Sequence, residues 1–203
     1  MAVQSGVYRG VSAAERASER RARLLEATLE VWADPRQRTT MTAVCSAAGL
    51  TERYFYESFG GLDDALRAVL DAVAAEIEQV TQAAADAAGP EPVSQATAVL
   101  EAFVRFLTDD PRKGRVAVIE AGAMPALRAR RTELLRDFAH RSAVDARDRL
   151  GLPHRSPHEE EIAGLLFIGG MAELVTAWLE GALEATPEEI VATAGKSLMA
   201  LYA

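Results

Sequence analysis

Nowhere does the chain alternate apolar and polar residues for more than four positions, the pattern a half-buried strand requires. Apolar residues recur instead three and four apart, punctuated by glycine and proline, so the chain is expected to be all-α. A first helix should run from Ala14 to Ala33, with Leu25, Leu29 and Trp32 on one face and Asp34-Pro35 as its stop. Thr40 caps a short second helix, Met41 to Ala48, which Gly49 ends at a position suited to positive φ. A helix of nine residues follows, then Gly60-Gly61, then a long helix from Leu62 to Ala88. Gly89-Pro90-Glu91-Pro92 reads as a linker. Beyond it the pattern predicts helices over Val93 to Thr108, Pro111 to Ala121, Pro125 to Leu150, His158 to Leu183 and Pro187 to Tyr202. Gly151-Leu152-Pro153 and Ser156-Pro157 bound a loop before the last two.

The stretch Thr51 to Phe59, Thr-Glu-Arg-Tyr-Phe-Tyr-Glu-Ser-Phe, has four aromatic residues in nine, in a chain where aromatics make up 6%. So short a helix is unstable alone and must be held by large side chains. Phe55 and Phe59, four apart, share one face and can pack on Leu25, Leu29 and Trp32 of the first helix and on Val44 of the second. The opposite face offers Glu52, Arg53, Tyr54, Glu57 and Ser58. Arginine can pair bidentately with guanine, and threonine and tyrosine hydroxyls can reach phosphates. Tyr56 reads either as such a contact or as a core tyrosine with its hydroxyl at the surface. Helix, short helix, glycine turn, short helix is the helix-turn-helix order, in which the second short helix enters the DNA major groove. The expected division is an N-terminal arm and three-helix helix-turn-helix DNA-binding domain over residues 1–61. A C-terminal helical bundle of about six helices covers 62–203, the unit to which the family resemblance described below assigns ligand binding and dimerisation.

A net charge of −8 argues at first against nucleic acid, but the charge is uneven. Residues 1–60 hold eight Arg and seven Asp or Glu, whereas the remainder holds 14 Lys or Arg against 23 acids. Arg16, Arg20, Arg21 and Arg23 cluster near the start, so an acidic body with an arginine-bearing head fits DNA binding through the head. One cysteine, Cys45, excludes an internal disulfide and reads as a small core residue. No apolar h-region precedes the first arginines, and the longest apolar candidate, Ile162 to Leu183, is broken by Glu173 and Glu180. The expectation is a soluble cytoplasmic protein with no membrane partner.

Thr40-Met41-Thr42-Ala43-Val44-Cys45-Ser46-Ala47-Ala48-Gly49-Leu50-Thr51, followed by Tyr54-Phe55-Tyr56-Glu57-Ser58-Phe59, resembles the N-terminal domain of the TetR (tetracycline-repressor-like) transcriptional regulators. The resemblance covers residues 23 to 70. Asp110-Pro111-Arg112, Arg115-Val116, Glu120-Ala121 and Pro125-Ala126-Leu127-Arg128 add to it. Gly169-Gly170-Met171-Ala172-Glu173-Leu174-Val175, with Trp178-Leu179-Glu180-Gly181, is similar to the dimer-forming region of many members. The resemblance implies a homodimer that binds a palindromic operator in double-stranded DNA and releases it when a small-molecule effector enters the C-terminal bundle. It places the DNA contacts on Thr40 and Thr42 in the second helix and on Thr51, Glu52, Arg53, Tyr54, Tyr56 and Ser58 in the third. Members often carry a lysine after the recognition helix for a phosphate; Leu62 stands there, behind Gly60-Gly61 in place of a bulkier pair.

An apolar effector pocket is expected among Phe103, Phe106, Leu107, Val118, Ile119, Met124, Leu135, Phe138, Met171 and Trp178. Glu120, Arg105 and His140 are the candidates for a polar partner. A dimer interface is expected on the last two helices. Gly164, Gly169, Gly170 and Ala172 would allow close approach, and Ile190, Ala194, Leu198 and Leu201 form a matching stripe. No phosphate loop, HExxH, CxxC or Gly-x-Ser-x-Gly motif occurs, so neither enzyme activity nor a cofactor is expected. His154 and His158 flank a loop and helix start, and no metal is expected there. A constitutive DNA- or partner-binding protein without an effector is the alternative.

Overall fold

A computed structural model of the chain describes residues 12–152 and 156–202 and shows helices without strands among them. The chain divides into two compact units between Asp71 and Ala72. The division lies inside a helix, later than the Gly60-Gly61 turn, because Ala65 beyond that turn belongs to the apolar core of the first unit.

In the first unit, α1 (Ala13–Ala33) starts with a capping box: Ser12 Oγ accepts the Glu15 N–H at 3.1 Å and the Glu15 carboxylate accepts the Ser12 N–H at 2.5 Å. Helix α2 (Met41–Ala48) starts at Thr40, whose hydroxyl oxygen accepts the Ala43 N–H at 3.2 Å. Gly49, at φ 60°, closes α2 in the left-handed region, where a Cβ would be strained. The seven residues of α3 (Glu52–Ser58) follow, two fewer than expected, because Thr51 and Phe59 are extended caps. Phe55 and Phe59 are buried with Val44, Cys45 and Ala48 against Leu24, Ala27 and Val31 of α1. The α1 face that receives the rings is therefore not the expected Leu29 and Trp32, which are buried outside this cluster. Leu25 only flanks it.

Helix α4 (Leu62–Ala87) crosses from the first unit into the second. Helix α5 starts earlier than expected, at Pro92 (Pro92–Asp109), because the Glu91 carboxylate caps the Val93 and Ser94 N–H groups. Helix α6 (Pro111–Arg115) runs without a break into a π turn (Val116–Glu120) and the short α7 (Ala121–Ala123). A 3₁₀ turn (Pro125–Leu127) leads into α8 (Arg128–Asp148), followed by α9 (Pro157–Leu179) and α10 (Pro187–Tyr202). The expected loop before α9 includes Pro153 and His154, which lie outside the described residues. Ser156 caps α9 in a second capping box with Glu159.

The core of the second unit joins Leu100, Val104 and Leu107 of α5 to Phe167, Met171 and Val175 of α9 and Ile190, Ala194 and Leu198 of α10. The α10 stripe expected at a dimer interface thus faces its own chain; its burial is spent on α5 and α9. Gly164 is likewise an intrachain contact, since a Cβ there would stand 2.6 Å from the Ala139 carbonyl oxygen of α8. Helix α9 is also a correction to the sequence reading: by length and composition it is apolar enough to cross a membrane, Glu173 notwithstanding. Here one of its faces packs in the bundle, and Ile162 and Leu166 on another are exposed. Gly164→Val should cost about 1–3 kcal/mol by overpacking, measured as a lower denaturant midpoint at unchanged m-value.

Candidate nucleic-acid interface

The polar face of α3 stands on a rigid base. Phe55 meets Phe59 with ring centroids 5.6 Å apart and Tyr56 edge-on at 5.9 Å. With both phenylalanines buried, Thr51, Glu52, Arg53, Tyr56 and Glu57 turn outward, and Tyr56 is 59% exposed. That exposure disfavours the core reading of Tyr56. On α2, Thr42 is exposed, whereas Thr40 is half-buried and its oxygen is committed to the cap. Its hydroxyl proton remains a donor.

Tyr54 and Ser58 are half-buried, and both are engaged by α1. The Arg20 guanidinium lies 4.6 Å from the centre of the Tyr54 ring. Arg21 donates to the Ser58 carbonyl at 2.8 Å and covers the Phe59 ring at 4.3 Å. Arg23 donates to the Ala48 carbonyl at 2.6 Å. Neither α2 nor α3 has a basic residue in its last turn, so the carbonyls at their ends need donors from elsewhere, and α1 supplies them. Sequence reading treated this cluster only as positive charge. The available signal was the pairing of two short helices lacking basic C-terminal turns with an arginine-rich neighbour.

Arg53, the proposed base reader, is held by Glu57 at 3.0 Å, and Glu57 also lies 3.9 Å from Arg20. An Arg53 side chain that turns to a base leaves Glu57 a second cation. Leu62, at the expected lysine position, packs against the core of the first unit, while the Gly60 N–H before it donates to Asp64 at 3.0 Å. Cys45 is 5% exposed, and burial, with the Glu52 charge second, pushes its thiol up from the ordinary value.

In the second unit, Leu107, Val118 and Met171 are buried in one cluster, with Phe103, Phe106 and Trp178 packed on it. Ile119, Met124, Leu135 and Phe138 are half-buried and lie outside that cluster. The Trp178 indole N–H is committed to the Ala185 carbonyl at 2.9 Å. Of the expected polar partners, Glu120 is paired with Arg115 at 2.8 Å, and Arg105 and His140 are exposed.

No family model matches the sequence, and no curated protein matches it significantly. Solved structures do match. A TetR family transcription regulator from Marinobacter aquaeolei VT8 aligns over 93% of this chain and 97% of its own, at 22% identity and a TM-score of 0.63. The fatty acid degradation regulator FadR of Bacillus halodurans covers 90% of this chain and 94% of its own, at 15% identity and 0.70. FadR of Bacillus subtilis, solved in complex with stearoyl-CoA, covers 90% and 97%, at 17% identity and 0.65. The chain has the all-α fold of these regulators. At such identities, the likeness extends to the fold.

Two outcomes follow from the geometry of the first unit. Arg21→Lys keeps the charge but loses the planar stack on Phe59, and should lower stability by about 0.5–1 kcal/mol in thermal unfolding. Cys45 should resist thiol reagents in the folded protein and react at the rate of unfolding, as read in a time course with and without denaturant.

Proposed function

We propose that the chain is a ligand-responsive DNA-binding transcriptional regulator of the TetR type, a cytoplasmic repressor without enzymatic activity. It binds a palindromic operator as a homodimer and is released by a small apolar or amphipathic effector. The observation that carries the reading is α3: a seven-residue helix pinned by Phe55 and Phe59, with Thr51, Glu52, Arg53 and Tyr56 facing outward. Burying two large rings to hold so short a helix, while leaving a large aromatic and an arginine exposed, suits a surface built to meet something. Arg53 reads a base; Thr40, Thr42, Thr51 and the Tyr56 hydroxyl hold phosphates; Glu52 faces bases. Tyr54 and Ser58, engaged by Arg20 and Arg21, position the helix and lie at the edge of the contact.

Homodimerisation rests on the exposed stripe of α9. Ile162, Leu166, Gly169 and Gly170 fall one or two turns apart on one side, and a Cβ at either glycine would meet nothing within 4 Å. The small and polar outer residues of α10, Ala192, Thr193, Ser197 and Ala200, complete a four-helix interface with a second copy. The effector reading rests on the half-buried apolar residues of the second unit, and it is supported by the Bacillus subtilis FadR, of this fold, having been solved in complex with the amphipathic stearoyl-CoA. The effector must favour a dimer with wrongly spaced heads by several kcal/mol to empty the operator.

Arg53→Ala should weaken operator binding by about 1–3 kcal/mol and flatten base preference, whereas Tyr56→Phe should weaken all sequences alike. Competition binding with randomised sites measures both; unchanged preference in Arg53→Ala would remove Arg53 as the reader. Light scattering should give a dimer mass at micromolar concentration. Leu166→Glu should yield monomers that bind half-sites weakly.

A further inference from the structure

The phosphate contacts of the proposed DNA surface are four neutral hydroxyls, those of Thr40, Thr42, Thr51 and Tyr56, while Arg53 is committed to a base. That set lacks the positive charge from which DNA binding draws much of its affinity, in a chain whose net charge is −8. Leu62, at the expected lysine position, packs against the core of the first unit and supplies none. The first unit has neither lysine nor histidine, so only arginine can provide a cation.

Most of its arginines are spent. Arg16 is engaged, and Arg20 lies over the Tyr54 ring and near Glu57. Arg21 and Arg23 donate to the Ser58 and Ala48 carbonyls, and Arg53 is held by Glu57. Arg36 grips both oxygens of Asp34, at 2.9 and 3.1 Å. Among the described residues of the unit, Arg38 and Arg67 are the arginines that make no hydrogen bond, ion pair or ring contact, and both are exposed. Their surroundings differ. Arg67 stands in α4 one turn from Asp63, Asp64 and Asp71, so a phosphate there would meet three carboxylates. Around Arg38, residues 35–51 contain no Asp or Glu. The acid just before them, Asp34, is filled: Oδ1 accepts the Arg36 N–H and Nε, and Oδ2 accepts Arg36 Nη2 and Gln37 Nε2. The Gln37 N–H on the Asp34 carbonyl, at 3.4 Å, completes a turn, and Arg38 is the first residue beyond it. Two residues of chain span at most about 7 Å, which keeps the Arg38 backbone beside that of Thr40.

We infer that Arg38 is the phosphate anchor of the first unit: its guanidinium pairs with a backbone phosphate next to Thr40 and replaces the cation that Leu62 cannot supply. The inference rests on the DNA-binding reading and adds the charged contact which that reading lacks. A guanidinium offers phosphate oxygens two parallel donors. Because Arg38 has no partner in the free protein, no internal bond breaks when it binds. A phosphate contact fixes register without reading sequence, so the choice of base stays with Arg53.

The test measures binding of the full chain to two duplex pools, an unselected randomised library and the fraction of it enriched by the unaltered protein, across a range of salt. Arg38→Gln should flatten the dependence of log K on log salt by about 0.9 for each Arg38 that meets a phosphate, about 1.8 for a two-fold pair. The change should be the same on both pools and leave the ratio between them as it was. Arg38→Lys keeps the charge and should keep the slope. Arg36→Gln removes an arginine two residues away that is already spent on Asp34, and should change the slope by less than half as much. Arg38→Gln removes no contact of the free protein, so its Tm should stay the same and exclude misfolding as the cause. An unchanged slope in Arg38→Gln, an equal change in Arg36→Gln, or a loss confined to the enriched pool would overturn the anchor. With both pools bound by the unaltered protein, any of these leaves the DNA-binding reading standing. Failure of the unaltered protein to bind either pool defeats that reading and the anchor together.

Discussion

Everything that distinguishes the first unit depends on Phe55 and Phe59 being buried together. A helix of seven residues has too few internal hydrogen bonds to persist by itself, and its helical state is bought by the two rings. Fully burying a phenylalanine contributes about 1.5–3 kcal/mol. Their removal from water also decides orientation: with positions 55 and 59 inward, positions 52, 53 and 56 have no choice but to face out. The outward chemistry follows from the inward packing. The arginines of α1 then fix what packing leaves loose, since Arg21 holds the last turn of α3 and Arg23 the end of α2. These bonds add polar anchors at the ends of two helices whose apolar faces are already buried.

The Arg53–Glu57 pair gives the outer face a further property. An exposed ion pair is worth about 0–1 kcal/mol, and a bidentate base contact about 1–3 kcal/mol. On the proposed reading, exchanging Glu57 for a correct base is favourable, whereas exchange for a poorly placed partner is near neutral. On the same reading Arg20, 3.9 Å from Glu57, would keep the abandoned carboxylate from standing uncompensated against the phosphates. On that reading Glu57 would sharpen the choice made by Arg53.

What was legible in the sequence was what local chemistry decides. Thr40, Gly49 and the proline at the start of α10 mark their boundaries by rules that need only neighbouring residues. The outward placement of Arg53 followed from the spacing of the phenylalanines, which left Tyr56 open and put Tyr54 and Ser58 further out than they are. What was not legible depends on partners distant in sequence. Periodicity identified a buried face of α1 but could not say that Leu24, Ala27 and Val31 meet the rings while Leu29 and Trp32 are buried elsewhere. The π turn at Val116–Glu120 has no sequence mark. The α10 stripe was read correctly as apolar and wrongly as intermolecular, because a stripe does not reveal whether its cover comes from the same chain.

In helix α9 small residues occur on both sides. Its inner side carries Gly164, where α8 approaches so closely that no side chain fits, and its outer side carries Gly169 and Gly170, where nothing approaches. Two glycines in mid-helix cost about 1 kcal/mol each relative to alanine, and a monomer gains nothing for them. Ile162 and Leu166 beside them remain in water. In a two-fold pair both side chains would be covered twice; being 54% and 60% exposed, they have little more than half of the roughly 1.5–3 kcal/mol of full burial left to gain, about 3–7 kcal/mol for the four. Association itself costs about 4–15 kcal/mol, so those four side chains alone do not secure a dimer. On the dimer reading the glycines would supply the remainder: by letting two α9 backbones come close, they would bring the outer face of α10, whose residues are too small to reach across a wider gap, into the same interface. On the dimer reading, the glycines of α9 and the small residues of α10 are one feature.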